Sequence, residues 1–568
     1  MNHIELFAGC GGLSLGLETV GFNLLTANEL SPMASETFAF NHLNTDLENK
    51  KNINKVFWVS SSHSRSNFSK RLRENPNNAI GLTQSHYSDL LEMKPTNEEL
   101  KRSLMVGSIA DINNILDPTT EVGKKNKWLL KQLKSGLGGK GVDLVSGGPP
   151  CQSFSLAGMR DHSHQRNQLP GEFAKFVGLI KPRIALLENV SGILRPFNID
   201  KNKYYAWFEV AKAFAKEGYI PLCLHVNAKY VGAAQNRPRF LLVALREDVY
   251  KQLKKDSEKE DLLIKALVNS EALTKIMKKI KTIENKFANK KISQSEMKLM
   301  INKIKPKYGS LEYFDVDKND VLFRSTLLSP LIIQKDQKNP KDLLVSVKDA
   351  IDDLREDGSP ESQYVKKINK IYLNQYNQPL NKLMNHELRH NKNLVRARFR
   401  LYQVLNKLLK IESKEILKHL KTESIDQISE STLKSLTNHW LLDLNGRQII
   451  KPSLTQTIGI LSALHTKKQT QKALIADLPA PAALSIPDDA CHYHESILTQ
   501  RTLSVREMSR IQSFPDWFVV KSKITTGGKM RRFEVPQYTQ IGNAVPPILG
   551  ISIGLILRNL LEHSKVMQ

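Results

Sequence analysis

Residues 4–16 read Ile4-Glu-Leu-Phe-Ala-Gly-Cys-Gly-Gly-Leu-Ser-Leu-Gly16, an apolar run followed at once by a cluster of glycines. This order predicts a strand, a tight turn and the start of a helix. Gly9, Gly11 and Gly12 remove side chains where a ligand must come close to the backbone. The first N–H groups of the helix have no partner within it, so they are free to bind that ligand.

A carboxylate follows the next apolar segment, where Ala27-Asn-Glu29 ends a second predicted strand. There Glu29 can accept hydrogen bonds from both ribose hydroxyls of an adenosine cofactor. The glycine loop contains no lysine, which excludes a phosphate-gripping P-loop, and its spacing differs from the dinucleotide fingerprint. Because a glycine-rich turn can be purely structural, the prediction of a nucleoside cofactor needs support from a second site.

The regions around this motif alternate short apolar runs with amphipathic stretches, the pattern of βαβ units and a parallel sheet. We expect strands at residues 3–7, 23–27, 142–146, 184–187 and 240–245. The predicted fold class is α/β, with a doubly wound, mostly parallel sheet in a first domain over residues 1–250. Residues 45–140 form a polar stretch that interrupts this alternation, and it predicts insertions into the domain.

The character of the sequence changes after the first domain. The sequence becomes lysine-rich, with apolar residues at helical spacing, such as Ile276, Ile280, Ile283 and Phe287. This pattern predicts a second, largely helical domain over residues 251–500. Lys and Arg number 83 against 57 Asp and Glu, a net charge of +26, which favours a nucleic acid partner. A general enrichment in lysine is the alternative explanation.

Cysteine usage indicates the compartment. Cys10, Cys151, Cys223 and Cys491 show neither metal-ligand spacing nor a disulfide framework, so we expect no metal site and a reducing compartment. The sequence opens without a basic and then apolar leader, and its longest apolar stretch, near residues 545–557, is shorter than the ~20 residues that span a bilayer. These features predict a cytoplasmic protein.

A second stretch, Val142-Asp-Leu-Val-Ser-Gly-Gly-Pro-Pro-Cys-Gln-Ser-Phe-Ser155, runs from a strand into a rigid loop that presents Cys151. Clefts of α/β proteins form at the carboxyl edge of the sheet, where this loop is expected. A buried structural cysteine is the alternative. Because the thiol has no metal partners, we interpret it as a nucleophile whose pKa is lowered by N–H groups or a cation.

The following strands bring further polar groups to the same edge. The stretch Arg183-Ile-Ala-Leu-Leu-Glu-Asn-Val190 ends near Glu188, and Gly232-Ala-Ala-Gln-Asn-Arg-Pro-Arg-Phe240 sets Arg237 and Arg239 two residues apart. Salt bridging alone is the alternative role of the arginines. A thiol, a carboxyl group and guanidinium groups beside a nucleoside cofactor suit covalent activation of a pyrimidine. The thiolate adds to C6, the carboxyl group supports N3, and C5 becomes nucleophilic enough to take a methyl group.

With these residues the chain resembles the DNA (cytosine-5)-methyltransferases of bacterial restriction-modification systems, which use S-adenosylmethionine. Seven blocks are similar in type and order: Phe7-Ala-Gly-Cys-Gly-Gly12, Asn28-Glu29, Gly148-Pro-Pro-Cys-Gln152, Glu188-Asn-Val190, Gln235-Asn-Arg-Pro-Arg239, Arg506-Glu-Met-Ser-Arg-Ile-Gln-Ser-Phe-Pro-Asp516 and Gln540-Ile-Gly-Asn-Ala-Val-Pro-Pro547. The resemblance implies a Rossmann-like methyltransferase sheet, a target-recognition domain over residues 251–500, and a segment over residues 501–568 that returns to the catalytic domain.

The resemblance also implies roles for the site residues. Cys151 is expected to be the nucleophile and Glu188 the partner of N3. Arg237 and Arg239 are expected to order the site, with Arg239 fixing both the cytosine and the glutamate. Asn189 is expected to help hold the catalytic loop.

The cofactor site implied by the resemblance departs from the family at two positions. The residues expected around S-adenosylmethionine are Phe7, Ala8, Gly9, Gly12, Glu29, Leu30, Pro150, Leu169, Asn543 and Val545. Where the family usually has an acidic residue that contacts the adenine amino group, the best match here is Gly107-Ser-Ile109, which puts Ser108 in that place. Leu30 stands where some members carry an aromatic residue against the adenine.

For contacts with DNA, the sequence offers two glutamines and an arginine cluster. Gln152 and Gln235 lie in the motifs, and Arg396, Arg398 and Arg400 alternate along one segment and could meet phosphates or guanine edges. A solvated helix face is the alternative for the cluster. Because a stacked cytosine is out of reach, a duplex substrate must have that base rotated out of the helix.

The predicted function is therefore modification of double-stranded DNA by a monomer in the cytoplasm, associated with the nucleoid. A restriction endonuclease of the same specificity is expected as a genomic partner, not as a bound subunit. Methylation of a tRNA cytosine is the enzymatic alternative, which the large basic middle region disfavours. A non-catalytic DNA-binding protein would lack one of Cys151, Glu188 or Arg239, and all three are present.

Overall fold

The computed structural model describes residues 1–83, 86–150, 168–199, 202–256, 261–335, 344–374, 382–422, 425–468, 471–482 and 489–563. Its strands, in chain order, are β1 (Asn2–Leu6), β2 (Asn23–Glu29), β3 (Val56–Trp58), β4 (Ser103–Val106), β5 (Leu144–Gly147), β6 (Ile184–Val190), β7 (Phe197–Ile199), β8 (Asn202–Tyr204), β9 (Tyr219–Asn227), β10 (Gln235–Asn236), β11 (Pro238–Arg246), β12 (Phe314–Asp315), β13 (Leu441–Leu442), β14 (Gln448–Ile449), β15 (Lys472–Ala473), β16 (Ala480–Pro481) and β17 (Ala490–Cys491).

The α-helices surround the sheet and build the basic middle region. In chain order they are α1 (Gly12–Thr19), α2 (Pro32–Leu43), α3 (Phe68–Arg71), α4 (Asp89–Met93), α5 (Asn97–Leu100), α6 (Ile109–Leu116), α7 (Glu121–Lys125), α8 (Lys127–Lys134), α9 (Leu169–Ile180), α10 (Ala206–Lys216), α11 (Glu247–Asp256), α12 (Leu262–Ala288), α13 (Gln294–Ile304), α14 (Asp320–Arg324), α15 (Val347–Ile351), α16 (Gln363–Ile371), α17 (Asn393–Leu405), α18 (Lys410–Thr422), α19 (Glu430–Thr437), α20 (Leu454–Ala463), α21 (Val505–Ile511), α22 (Gln537–Asn543) and α23 (Pro547–His563).

Nine strands form one sheet in the order β12-β9-β11-β6-β5-β1-β2-β4-β3. Neighbouring strands are parallel except at β11, which runs antiparallel to both β6 and β9. Residues 228–237, which join β9 to β11, are too few for a helical crossover, so the chain must return antiparallel. All five predicted strands belong to this sheet, and the predicted α/β fold class is confirmed.

Strands β3 and β4 correct the prediction that residues 45–140 are insertions. β4 pairs with β2 on one side and β3 on the other, and all four of its residues are buried. Ahead of β4, Arg71 and Asp89 form a buried ion pair at 2.8 Å, with the guanidinium 5.4 Å from the ring centroid of Trp58 on β3. Part of this region is therefore integral to the sheet.

The predicted domain boundary at residue 250 is wrong, because α12 and β12 pack onto the sheet. Leu267 of α12 joins the apolar core that contains α1 and α23, and Leu273 joins the core that contains α9 and α10. β12 pairs in parallel with β9. Helical spacing alone could not show which core the helix would cover.

Two hydroxyl groups of α12 complete the hydrogen bonding of β9. Ser270 Oγ donates to the carbonyl of Pro221 at 2.6 Å. Thr274 Oγ1 lies 2.8 Å from the carbonyl of Tyr219 and 2.9 Å from the Ser270 carbonyl of its own helix, and its one proton is shared between these acceptors. In the described structure β12 reaches only Leu224 and His225 on this side of β9. The helix therefore covers the part of the strand edge that β12 leaves open.

Residues of the basic middle region also have an apolar core of their own. Phe399, Leu401 and Val404 of α17 pack there with residues of α18, α20 and the segment around Cys491. This core lies beyond residue 390 and holds the later helices of the predicted second domain, α17 to α20.

The C-terminal helix α23 returns to the first domain and packs on α1. A Cβ atom on Gly16 would lie 2.4 Å from the carbonyl oxygen of Pro547, so this packing needs glycine there. The segment Gln537–His563 is long and apolar enough by composition to cross a membrane, but 67% of its most apolar stretch is buried inside the protein. It therefore has the burial of a core helix.

Replacing Thr274 with valine should lower the free energy of unfolding by about 1–3 kcal/mol, because the carbonyl of buried Tyr219 loses its hydroxyl donor. Thr282→Val is the matched control, since the Thr282 hydroxyl bonds only the preceding turn of α12 on an exposed surface. Urea denaturation followed by circular dichroism measures both variants. Equal midpoints for the two would contradict the capping role of α12.

Candidate active site

The glycine loop between β1 and α1 is held against the end of β2. The Gly9 N–H donates to Glu29 Oε2 at 2.8 Å, and the Ser31 N–H donates to Glu29 Oε1 at 2.7 Å. The Ala8 N–H donates to the Asn28 carbonyl at 2.9 Å. Burial raises the pKa of Glu29, and the two N–H donors oppose that rise. The loop thus fixes the orientation of the carboxylate and leaves lone pairs for further donors.

Two contacts decide which glycines of the loop the fold requires. A Cβ atom on Gly12 would lie 2.3 Å from the carbonyl oxygen of Val545, and one on Gly11 would lie 2.2 Å from the His42 ring. Gly9, with φ +56°, has open space in front of it, since a Cβ atom would meet nothing within 4 Å. The loop is therefore packed behind Gly11 and Gly12 and open at Gly9.

The other predicted cofactor residues differ in their burial and contacts. Phe7, in the left-handed conformation at φ 53°, stacks on Phe173 with centroids 6.4 Å apart. Phe7 and Leu169 both pack, partly buried, on the core beneath α9. Leu30 is half-buried beside Glu29. Ala8 is buried, whereas Pro150 and Asn543 are exposed.

Ser108 lies where the resemblance places the adenine contact, but its hydroxyl caps a helix. The Gly107 N–H donates to the Glu29 carbonyl at 2.9 Å, which puts the end of β4 beside the end of β2. The Ser108 hydroxyl accepts a hydrogen bond from the Ala110 N–H at the start of α6. Asp111, in the first turn of α6, accepts the Gly81 N–H through both carboxylate oxygens. The acidic side chain of Asp111 thus lies three residues beyond the predicted position and accepts a hydrogen bond from the Gly81 backbone.

The predicted catalytic residues lie where β5 and β6 end side by side. A Cβ atom on Gly148 would lie 2.9 Å from Oε2 of Glu188, so the glycine lets the loop pass against the carboxyl group. The Asn189 side chain donates to the Pro149 carbonyl at 3.2 Å. These contacts place Gly148 and Pro149 against the end of β6, three and two residues before Cys151. Cys151 and Gln152 themselves lie outside the described residues.

Glu188 forms an ion pair with Arg239, which the antiparallel strand β11 delivers to this edge. The Arg239 Nε and Glu188 Oε1 atoms are 2.6 Å apart, and both side chains are about nine-tenths buried. Arg239 Nη1 donates to the Pro238 carbonyl at 2.8 Å. The ion pair therefore aligns the carboxyl group beside the strand that leads to Cys151.

Arg237 does not reach the ion pair, although only Pro238 separates it from Arg239. It is fully buried, and its Nη2 atom donates to the carbonyls of Gly542 and Ala544, each at 2.9 Å. Sequence reasoning missed Asn227 as the residue that fixes this turn. Its side-chain oxygen accepts the Arg237 N–H at 3.0 Å, but it lies on β9 outside every recognised motif.

The structure contradicts the predicted DNA contacts of Gln235, Arg398 and Arg400. Gln235 is fully buried and donates to the Pro481 carbonyl at 3.3 Å. Arg398 is buried and donates to the carbonyls of Leu464 and His465. None of the three side chains can reach a DNA surface from these positions.

Arg400 fits neither interpretation of the arginine cluster, a DNA contact or a solvated helix face. It is 1% exposed, pairs with Glu495 at 3.0 Å, donates to the Trp440 carbonyl and lies 3.8 Å from the centroid of the Trp440 ring. It is therefore neither a DNA contact nor part of a solvated face. Arg396 is half-buried and donates to the Ile497 carbonyl at 3.1 Å, so it alone of the three retains surface access.

A family model described as C-5 cytosine-specific DNA methylase matches residues 1–62, 123–321 and 321–557. The chain belongs to this family. The match includes the glycine loop, the Glu188–Arg239 edge and the segment around Asn543, the three parts that the structure brings together.

Curated relatives of this chain are type II and orphan methyltransferases. M.DdeI of Desulfomicrobium norvegicum is 28% identical over 248 residues, which are 44% of this chain and 41% of the relative. M.XorII of Xanthomonas oryzae is 27% identical over 246 residues, 43% and 40% of the two chains. The orphan methyltransferase M.SPRI of Bacillus phage SPR is 33% identical over 164 residues, 28% and 34% of the two chains. The chain spans about two-fifths of the length of the first two relatives.

Among solved structures, the S. pombe Dnmt2 methyltransferase matches with a TM-score of 0.38 and 11% identity, covering 99% of both chains.

Gly12→Ala should lower the free energy of unfolding of this methylase-family protein by about 1–3 kcal/mol, because the added Cβ overlaps the Val545 carbonyl. Gly171→Ala in α9 is the matched control, since a Cβ there meets nothing within 4 Å. It should be neutral or stabilise by about 1 kcal/mol through helix propensity. Thermal or urea unfolding compares them, and a stable Gly12→Ala variant would disprove the tight contact.

Arg400→Met should lower the free energy of unfolding of the middle region by about 3 kcal/mol, because it breaks a buried ion pair. Lys407→Met is the control: Lys407 contacts the same Glu495 but its side chain is 53% exposed, so about 0–1 kcal/mol is expected. Urea unfolding measures stability, and gel shifts at several salt concentrations measure DNA affinity. A folded Arg400→Met variant with a reduced salt dependence would restore the DNA-contact reading.

Proposed function

We propose that this protein transfers a methyl group from S-adenosylmethionine to C5 of a cytosine in a specific double-stranded DNA sequence. The main support is the Glu188–Arg239 ion pair, whose atoms are 2.6 Å apart. It lies at the edge of the sheet where Gly148 passes against Glu188, three residues before Cys151. A carboxyl group fixed by a guanidinium beside a candidate nucleophile is the arrangement that pyrimidine activation needs. Membership of the C-5 cytosine-specific DNA methylase family supports it.

The proposed reaction assigns one task to each side chain. The Cys151 thiolate adds to C6 of the cytosine, and the electron pair released into the ring is accommodated at N3 beside the Glu188 carboxyl group. C5 then takes the methyl group, loses its hydrogen as a proton, and the thiolate leaves C6. Arg239 keeps the Glu188 carboxyl group in place through these steps.

The glycine loop fits S-adenosylmethionine, which supplies an electrophilic methyl group when bound. The open space at Gly9 admits a ribose, and the Glu29 carboxylate beside it has lone pairs for the hydroxyl groups. Phe7 and Leu169 offer apolar surface, and Asn543 is exposed at the edge of the same region. These residues, with Ala8, Gly12, Leu30, Pro150 and Val545, are our proposed cofactor site.

The substrate requires that the target base leave the duplex. A stacked cytosine hides C5 and C6, so we propose that the base is flipped into the cleft at a cost of about a few kcal/mol. The net charge of +26 supplies attraction for the DNA backbone. We further propose that the protein acts as a monomer on nucleoid DNA, as the modification enzyme of a restriction-modification system with a separately encoded endonuclease.

Sequencing of bisulfite-treated DNA from cells that express the protein tests this function. Wild-type protein should give one consistent methylated cytosine motif, and Cys151→Ala should give none, because the nucleophile is lost. Cys223→Ala is the matched control, since Cys223 is buried in β9 away from the proposed edge, and it should retain the motif.

Unmodified DNA with wild-type protein present would overturn the assignment of DNA as substrate. Methylation of tRNA by the same cells would then identify RNA as the substrate instead.

A further inference from the structure

Arg237 and Arg239 are both buried but have different partners. Both side chains enter the interior from the start of β11, on either side of Pro238. Arg239 pairs with Glu188 at 2.6 Å. Within the described residues Arg237 has no ion pair, and its Nε atom is buried without a hydrogen-bond partner. The two arginines therefore make different kinds of contact, an ion pair for Arg239 and no ion pair among the described residues for Arg237.

The partners of Arg237 flank a proposed cofactor contact. Its Nη2 atom donates to the carbonyls of Gly542 and Ala544, each at 2.9 Å, on either side of exposed Asn543. These carbonyls lie at the end of α22, where the helix leaves carbonyl groups without internal partners. One residue further on, the Val545 carbonyl lies against Gly12 of the glycine loop. Arg237 thus fixes the backbone of the segment that touches the cofactor loop.

Burying the charged Arg237 guanidinium has a large desolvation cost. Burial lowers the pKa of the Arg237 guanidinium, and the positive charge of Arg239 lowers it further. An apolar side chain of similar volume would avoid that cost. What the guanidinium provides and an apolar chain cannot is two hydrogen bonds from one nitrogen to carbonyls two residues apart.

We propose that the two arginines divide the work of the site: Arg239 orients Glu188, and Arg237 is a positioning residue for the cofactor, acting through Gly542 and Ala544 on Asn543 and Val545. This assignment rests on the proposed methyl transfer. It differs from a shared catalytic role because loss of Arg237 should impair the cofactor half of the reaction and spare the base-activating half.

The two halves can be measured separately. Without cofactor, addition of the Cys151 thiolate to C6 lets C5 take a proton from water, and loss of the original C5 hydrogen then expels the thiolate. The net result is release of tritium from DNA that carries tritium at cytosine C5, with no methyl group and no redox change. This exchange needs Cys151, Glu188 and Arg239, whereas methyl transfer also needs a positioned cofactor.

Arg237→Met should raise the Kd for S-adenosylhomocysteine about tenfold, equivalent to about 1.4 kcal/mol, and raise the cofactor KM similarly. The rate of cofactor-free tritium release by Arg237→Met should stay within about twofold of the wild-type rate, a much smaller change in free energy than the tenfold change in Kd. Arg237→Lys should recover part of the affinity, since an ammonium group can donate to both carbonyls. Arg239→Met should show the opposite pattern and lose tritium release.

Arg398→Met is the matched control, because Arg398 is also buried and donates to two backbone carbonyls, but in the middle region. It should leave the Kd for S-adenosylhomocysteine unchanged whatever it does to stability. Should Arg237→Met fail to fold, Arg237→Lys decides the comparison.

Normal S-adenosylhomocysteine binding by the Arg237 variants, or loss of tritium release equal to that of Arg239→Met, would overturn the division of work. Wild-type protein that binds S-adenosylhomocysteine but neither releases tritium nor methylates DNA would overturn the proposed function. In that case the Kd values still decide whether Arg237 positions the cofactor segment.

Discussion

The close approach of residues 545–550 to α1 is the constraint on which the candidate site depends. The carbonyl of Val545 lies where a Cβ of Gly12 would be, and Gly550 lies against Gly16. The Cys10 thiol, on the same loop, contacts the carbonyl of a residue 530 positions away in sequence. The proposed cofactor surface therefore takes residues from both ends of the described chain.

The direction of β11 is the second determinant of the site. Because β11 runs antiparallel to β6, its first residues meet the last residues of β6, with Arg239 opposite Val190 and beside Glu188. In a parallel arrangement the same residues would lie at the opposite edge of the sheet. The short connection from β9, and Asn227 at the end of that strand, thus decide where the guanidinium groups lie.

Local patterns predicted those parts of the fold whose signal is contiguous in sequence. The glycine loop, Glu29, Glu188 and Arg239 each end or begin an apolar strand, and the structure gathers them at one edge. β4 was not predicted because its three apolar residues, Leu104, Met105 and Val106, stand in a polar stretch of sequence and are too few to show a period.

Long-range partners could not be predicted from the sequence. Arg400 looks like a surface arginine in its own segment, and its burial depends on Trp440 and Glu495, which lie 40 and more residues away. Arg237 likewise looks equivalent to Arg239 until residues 542–544 fold onto it. The end of the first domain was misplaced for the same reason, because only long-range contacts, with β9 and with the two apolar cores of the sheet, make α12 part of the sheet layer.

The hydroxyl contacts of α12 also bear on the edges of the large sheet. Exposed strand edges are templates on which strands of other molecules can add. Here the terminal strands are β12, of two residues, and β3, of three, while Ser270 and Thr274 occupy carbonyls of β9 beyond the end of β12. Within the described residues, the large sheet therefore ends on both sides in strands of two or three residues, which offer little edge for another strand to add to.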